Sequence, residues 1–471
     1  MHGEIVMLIS FKVGNFCSFD EIQTFSMEAG LVRKKADRLY KGPNNSRLVK
    51  FAALFGANAS GKSMFVEAIS FSQSTILNKL PSEIGRLYCR ITEDNRSKPT
   101  YFEYRIINSN REFVYSFSCN LDERRIETEK LTEIKKDKEI ILFSRDVNTQ
   151  TYTEFNFKDK QLNTKLNLYA SDVRNEQEVL FLKILNQNKS ALYAEHKEAS
   201  PFKEIYSWFR YSLSVNYPDI MISPYSYFLS NENKEKVCKI LSSYDTGITD
   251  YTIVENTNEM VKSQIPDDVY KTILTELMNA KKKGLPPSII LRGGRDLLFI
   301  QLDDNENIVS QTVQFFHAGS NSRFGMGEES DGTIRLMDLL TILFDQTKEK
   351  VYIIDEIDRC LHPQLTAKFV EDFLYLARQR NTQLFVTTHE SSLLDFDILR
   401  KDEIWFVNKE DGASKMYPLE QFPDQRFDKK IETAYKEGAY KAKPNFKDIY
   451  PLLETLPDVW MPDNEKDKTA K

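Results

Sequence analysis

Apolar residues along this chain recur with two periods, and each change of period marks a new element. Residues 4 to 26 alternate apolar and polar positions around Gly14-Asn15-Phe16-Cys17-Ser18-Phe19. That alternation predicts two strands joined by a turn, the second near Gln23–Ser26. Residues 31 to 47 are charged and carry Gly42-Pro43 and Asn44-Asn45-Ser46, which predict a loop. Phe51-Ala52-Ala53-Leu54-Phe55 is continuously apolar and reads as a buried strand. Behind it Met64, Phe65, Ala68, Ile69 and Phe71 recur at helical spacing. Tyr101–Ile107, Phe113–Cys119 and Ile140–Phe143 are β-branched and aromatic runs between polar turns, an antiparallel meander.

From about residue 150 the helical period dominates. Glu178–Leu185, Phe202–Tyr211, Lys234–Ser242 and Val269–Lys282 are expected helices, separated by turns at Asn216-Tyr217-Pro218 and Ser223-Pro224. No heptad is sustained there, so the stretch reads as a compact, mainly helical insertion rather than a coiled-coil arm. Strand patterns resume at Ser288–Leu291 and Leu297–Ile300. Ile334–Leu340 then forms an amphipathic helix that Ser330 or Asp331 is placed to cap. Val351–Ile354 and Gln383–Thr388 are two further apolar strands. The expected class is α/β, in three parts: 1–150, the insertion at 151–284, and 285–471.

Composition changes this picture little. A chain of 471 residues, 41% hydrophobic, has room for two or three domains of ordinary size. Its five cysteines form no C-x-x-C pair, which suggests reduced thiols in a cytoplasm rather than zinc or a disulfide framework. No apolar run reaches membrane-spanning length, and a soluble protein is expected. A net charge of −6 excludes a wholly basic nucleic-acid coat but leaves local strips open. The candidate strips are Arg33-Lys34-Lys35, Lys135-Lys136 with Lys138, and Lys281-Lys282-Lys283, each read first as solvated surface.

Candidate chemistry sits where strands end. Gly56-Ala57-Asn58-Ala59-Ser60-Gly61-Lys62-Ser63 has the G-x-x-x-x-G-K-[ST] form, between the expected strand and helix. Its glycines let successive N–H groups turn toward a phosphate, and the helix dipole adds to the same attraction. Lys62 is then placed for the β- and γ-phosphates of ATP, and the Ser63 hydroxyl for Mg²⁺. Ser330 and Gly332 open a second helix and offer another phosphate contact without a lysine. Asp355-Glu356 ends an apolar strand: the first acid suits Mg²⁺, the second an attacking water. Asp358 follows in a turn, and His389 ends the next strand, within reach of a γ-phosphate.

In this order the motifs resemble the ATP-binding-cassette ATPase head, a P-loop NTPase fold with a mixed sheet and an antiparallel meander. More narrowly, Gly56–Ser63, Glu328-Glu329-Ser330-Asp331-Gly332-Thr333 and Ile354-Asp355-Glu356-Ile357-Asp358 with Leu361-His362-Pro363 resemble bacterial AAA-family ATPases. These are relatives of the overcoming-lysogenization-defect proteins. Ile404–Val407 and the Tyr435, Gly438, Tyr440, Pro444 spacing fit the same family. The resemblance implies a homodimer or higher oligomer with ATP between protomers. It places Ser330 and Gly332 on the partner's nucleotide, Asp358 at the interface and His389 at the γ-phosphate. It further implies a scaffold controlling a separate effector, a nuclease, in phage defence, with DNA or a phage protein as trigger. A DNA clamp of the repair type is the alternative. A fused nuclease domain is disfavoured, because the residues after His389 must first complete the ATPase sheet.

Overall fold

The computed structural model of the chain describes residues 5–136, 138–152, 155–222, 225–229, 233–256, 266–284, 287–293, 296–302, 308–345, 349–422 and 431–442. The expected turn at Ser223-Pro224 and the tail's Pro444 lie outside them. β1 (Val6–Gly14) and β2 (Gln23–Ser26) pair antiparallel, as their alternation predicts. The loop after them carries a short ribbon, β3 (Tyr40–Lys41) with β4 (Arg47–Leu48), and two single 3-10 turns. β5 (Phe51–Phe55) then leads into the Lys62–Leu77 helix.

The meander follows as β6 (Thr100–Asn108), β7 (Arg111–Asn120), β8 (Arg125–Lys135), β9 (Lys138–Asp146) and β10 (Thr151–Tyr152). With β1 and β2 they form a 7-stranded antiparallel sheet, β10-β9-β8-β7-β6-β1-β2. β8 escaped the sequence reading because acids occupy positions where a strand pattern needs apolar groups. Glu129 and Glu133 are buried. Glu129 accepts the N–H groups of Phe181 and Leu182 at 2.6 and 2.9 Å and the Tyr115 hydroxyl at 2.8 Å. A buried acid here replaces packing with hydrogen bonds that tie the start of the Phe181–Asn186 helix to the sheet.

Residues 151–284 supply the helices Lys160–Asp172, Phe181–Asn186, Ser190–Glu195, Ser200–Ser207, Lys234–Ser243 and Asp267–Lys282. They also supply two strands absent from the sequence reading, β11 (Leu213–Asn216) and β12 (Ile248–Asn256). The expected Phe202–Tyr211 helix ends at Ser207 and continues as a π-helical turn, Trp208–Ser212. Gln73 donates to the Phe209 and Leu213 carbonyls at 2.7 and 2.9 Å, satisfying groups that the wider turn frees. β12 joins β13 (Ser288–Gly293), β14 (Asp296–Leu302), β15 (Ile308–His317) and β16 (Arg323–Gly325) in a 5-stranded sheet. Ile273 and Leu277 of the Asp267–Lys282 helix cover part of it, against Leu298 and Ile300.

β17 (Val351–Ile354), β18 (Gln383–Thr388), β19 (Ile404–Glu410) and β20 (Ala413–Pro418) complete a 6-stranded sheet, β11-β17-β18-β5-β19-β20. All neighbours in it are parallel except β20, which pairs antiparallel with β19. Ala52 and Leu54 face the core shared with the meander and the Lys62–Leu77 helix. Phe51, Ala53 and Phe55 face the opposite core, under the helices Asp331–Phe344 and Pro363–Ala377. Val351 and Ile353 divide from Tyr352 and Ile354 in the same way. Burial on both faces is why these strands read as unbroken apolar runs. It also brings the carboxyl ends of β5, β17 and β18 side by side, where open α/β sheets bind ligands.

The three basic runs lie apart in the chain's structure, in the loop before β3, at the β8–β9 turn and at a helix end. Lys34 and Lys35 donate to the Phe396 carbonyl at 3.2 and 2.9 Å. Lys135 pairs with Glu133 at 2.9 Å. Lys281 and Lys282 close the last turn of their helix, where its dipole favours cations. Among the described residues no helix is long and apolar enough to cross a membrane.

Candidate nucleotide-binding site

β5 ends at Phe55, and the chain loops from Gly56 to Gly61 before the helix begins at Lys62. Two glycines are required here. Gly61 has φ +115°, and a Cβ on it would lie 2.3 Å from Ser414 Oγ. A Cβ on Gly56 would lie 2.5 Å from the Val407 carbonyl oxygen. Ser414 Oγ donates to the Ser60 carbonyl at 2.6 Å and lies 2.7 Å from Ser18 Oγ, so β20 and the turn after β1 clamp the loop. Lys62 Nζ donates to the carbonyls of Gly56 and Ala57 at 2.8 and 3.1 Å and lies 3.4 Å from His389 Nδ1. Burial pushes its ammonium down to about 8, against the opposing pull of Asp355, Asp358 and Glu356. The same burial, with Lys62 adding to it, holds His389 below its ordinary value.

Asp355 and Glu356 follow β17, one strand removed from β5. Asp355 is buried, and its carboxylate accepts the Thr387 hydroxyl at 2.5 Å. Thr387 Oγ1 in turn accepts the Glu356 N–H at 2.8 Å. Glu356 has φ +46°, a conformation uncommon for a residue with a side chain. Asp358 accepts the His389 N–H at 3.3 Å. Gly56–Ser63, Asp355, Glu356, Asp358 and His389 therefore meet at one end of the sheet.

Ser330 and Gly332 do not join them within the chain. Ser330 is exposed and caps the Asp331–Phe344 helix, accepting the Thr333 N–H at 3.0 Å. Gly332 packs so closely that a Cβ would lie 2.7 Å from the Cys360 carbonyl oxygen. The neighbouring Asp331 lines a separate cleft with Arg335, Arg359 and Cys360.

The family described as "AAA domain, putative AbiEii toxin, Type IV TA system" matches residues 51–395. The chain belongs to that family. Its fold is the P-loop NTPase head expected from the sequence. Among solved structures it is similar to an SMC head bound to the C-winged-helix domain of ScpA, with 13% identity and a TM-score of 0.35 over 91% of this chain and 99% of that one. It is also similar to the SMC head domain of Thermotoga maritima, with 12% identity and a TM-score of 0.33 over 87% and 98%. At those scores the likeness carries no argument. No curated protein matches the chain.

The AAA domain's loop opens on a cleft of about 760 Å³ lined by Asn58–Met64, Glu356 and His389. That volume lies within the roughly 300–1,000 Å³ usual for small-molecule sites. Three more cationic residues line it, Arg86, Arg90 and Lys409, against the one carboxylate of Glu356. The Ser60 hydroxyl is buried at the loop with no partner. A positive, donor-rich cradle with an orphaned hydroxyl suits the polyphosphate of ATP. No cluster of three or more His, Cys, Asp or Glu that could hold a metal occurs among the described residues. Ser63 and Asp355 are the residues that could hold Mg²⁺, which keeps waters and substrate phosphates around one or two protein ligands.

Sequence reasoning missed Thr387, Ser414, Arg86, Arg90 and Lys409. Thr387 stands two residues before His389, so a hydroxyl beside the acidic strand end was findable. The others come from irregular segments and from β19 and β20, where no periodicity singles them out.

Proposed function

We propose that this AAA domain hydrolyses ATP with Mg²⁺ at a site completed by a second copy, and that the nucleotide cycle controls a separate effector. The observation that carries the reading is the division of the motifs. Lys62, Ser63, Asp355, Glu356 and His389 share one end of the sheet, while Ser330 and Gly332 stand at an exposed helix start elsewhere. A helix N-terminus bearing an exposed serine is an anion site, and a nucleotide held by a partner supplies the anion.

In this reading Lys62 and the loop N–H groups bind the β- and γ-phosphates, and Ser63 and Asp355 hold Mg²⁺, which neutralises developing charge. Glu356 accepts a proton from the attacking water. His389 contacts the γ-phosphate, and Asp358, which accepts its N–H, holds the turn at the interface. The effector is a nuclease, and the setting is defence against phage. Motif resemblance supports this, as does the toxin–antitoxin wording of the family description. Calorimetry tests the nucleotide claim: Lys62→Ala should lose most ATP affinity, and unchanged binding would refute it. Co-purification with a co-expressed neighbouring gene product tests the effector claim.

A further inference from the structure

Arg335 is a buried charge that no sequence motif singles out. It sits on the helix that Ser330 caps and is 4% exposed. Its Nη2 donates to the backbone carbonyls of Asp355 and Glu356 at 3.5 and 3.3 Å. Nε and Nη1 have no hydrogen-bond partner, although the side chain lines a cleft of about 550 Å³. A guanidinium so placed gives up hydration that two long bonds replace only in part. Asp338, whose carboxylate accepts the Tyr225 hydroxyl, is the acid that offsets the burial most. Such incomplete satisfaction of a buried ion calls for an explanation other than stability.

The carbonyls it holds belong to a turn that its neighbours also bond: the Asn216 carbonyl accepts the Asp355 N–H at 2.9 Å, the Thr387 carbonyl the Ile357 N–H at 3.1 Å, and the Glu356 carbonyl also accepts the Arg359 N–H at 3.2 Å. Glu356 at φ +46° and Cys360 at φ +64° bracket that turn. Thr387 holds it from the β18 side, through the Glu356 N–H and the Asp355 carboxylate. The Asp331–Phe344 helix holds it from the other side at two points, the Gly332 contact on the Cys360 carbonyl and the Arg335 Nη2 group. Through Arg335 that helix therefore reaches the Glu356 carbonyl directly.

We infer that Arg335 is a positioning residue that couples the Ser330 helix start to the orientation of Glu356, so that hydrolysis in one copy depends on what its own Ser330 helix contacts. This rests on the ATPase reading above. Nothing in it requires Arg335 to touch nucleotide. Its loss should slow the chemical step without loosening ATP, because a misplacement of about 1 Å at a reacting group costs about 10²-fold in rate.

The experiment compares Arg335→Lys and Arg335→Gln with wild type in the full chain. It measures binding of a fluorescent ATP analogue, single-turnover hydrolysis at saturating ATP, and circular dichroism for the fold. Lysine keeps the charge, but its ammonium ends one bond short of the place of Nη2, which alone reaches both carbonyls. Affinity should stay within about threefold in both variants, while hydrolysis slows about tenfold in Arg335→Lys and about 10²-fold in Arg335→Gln. Adding Arg335→Lys to Glu356→Gln should slow hydrolysis no further, since both act through one group. Wild-type hydrolysis in Arg335→Lys, parallel loss of binding and rate, or misfolding of both variants would overturn the inference. Wild-type protein that binds ATP without hydrolysing it would overturn the ATPase reading instead, and the inference with it.

Discussion

Glu356→Gln separates binding from chemistry at this site, and the structure says why. The Glu356 backbone is held by Thr387 Oγ1 at 2.8 Å and by Arg335 at 3.3 Å, neither of which involves its carboxylate. Exchanging the carboxylate for an amide leaves those bonds, the φ of +46° and the side-chain reach in place. What disappears is basicity and one negative charge in a cleft built for an anion. Loss of general-base assistance slows the chemical step by roughly 10²–10⁴-fold, about 3–5 kcal/mol in the barrier. Removing the charge relieves repulsion of the triphosphate, worth about 2–3 kcal/mol at about 6 Å and an effective dielectric near 20 before Mg²⁺ and Lys62 screen it. ATP affinity should thus hold or rise. Asp355→Asn should behave differently. If its new amide turns toward Thr387 Oγ1, that oxygen meets two N–H donors, the amide and the Glu356 N–H, and its own proton is left over. If the amide turns away, the metal site keeps an N–H₂ where it needs an oxygen. Single-turnover hydrolysis and retention of radiolabelled ATP on both variants provide the readout. Wild-type hydrolysis by Glu356→Gln would show that another group activates water and would refute the assignment.

Three further outcomes follow from the same geometry. With Lys62 near 8 in the free protein against an ordinary 10.5, the nucleotide's charge raises it again, so ATP binding at about pH 8.5 should take up a proton. Calorimetry in buffers of different ionisation enthalpy detects this, and buffer-independent heats at that pH would contradict it. Gly61→Ala forces a side chain onto φ +115° and 2.3 Å from Ser414 Oγ, and should cost about 1–3 kcal/mol in strain and most ATP affinity; adding Ser414→Ala should recover little, since the Ser414 Cβ stays 2.9 Å from the new methyl and the φ strain remains. Glu403 is fully enclosed, and burial raises it to about 7 from an ordinary 4.5. The folded state then binds more protons than the unfolded between those values, so stability falls as pH rises through that window, by about 2–4 kcal/mol. Glu403→Gln should gain melting temperature over wild type at about pH 8 and little at about pH 5, and equal shifts at both would refute the cause.

The core of this fold was legible because two-sided burial writes unbroken apolar runs, as at Phe51–Phe55 and Val351–Ile354, and because glycine positions carry conformational demands. The meander was half legible. β6 and β7 alternate cleanly, but β8 turns Glu129 and Glu133 inward and satisfies them with Phe181, Leu182, Tyr115 and Arg111. β11 was hidden for a different reason: only four residues long, it follows a π-helical turn that extends the helical pattern into it. At the site, residues whose chemistry depends on neighbours in sequence were found. Those that act across the fold, such as Arg335 on Glu356 and Ser414 on Ser60, leave no local spacing to read.

The central claim is that ATP is hydrolysed between two copies, with Lys62 from one and Ser330 from the other. Mixing Lys62→Ala chains with Ser330→Arg chains tests it most directly. Each variant alone should be nearly inactive, and half of the sites in a mixed dimer should combine two intact halves. Turnover should therefore reappear on mixing and peak near equal proportions. Mixed dimers that form, as shown by differently tagged chains, yet recover no turnover at any ratio would contradict the account.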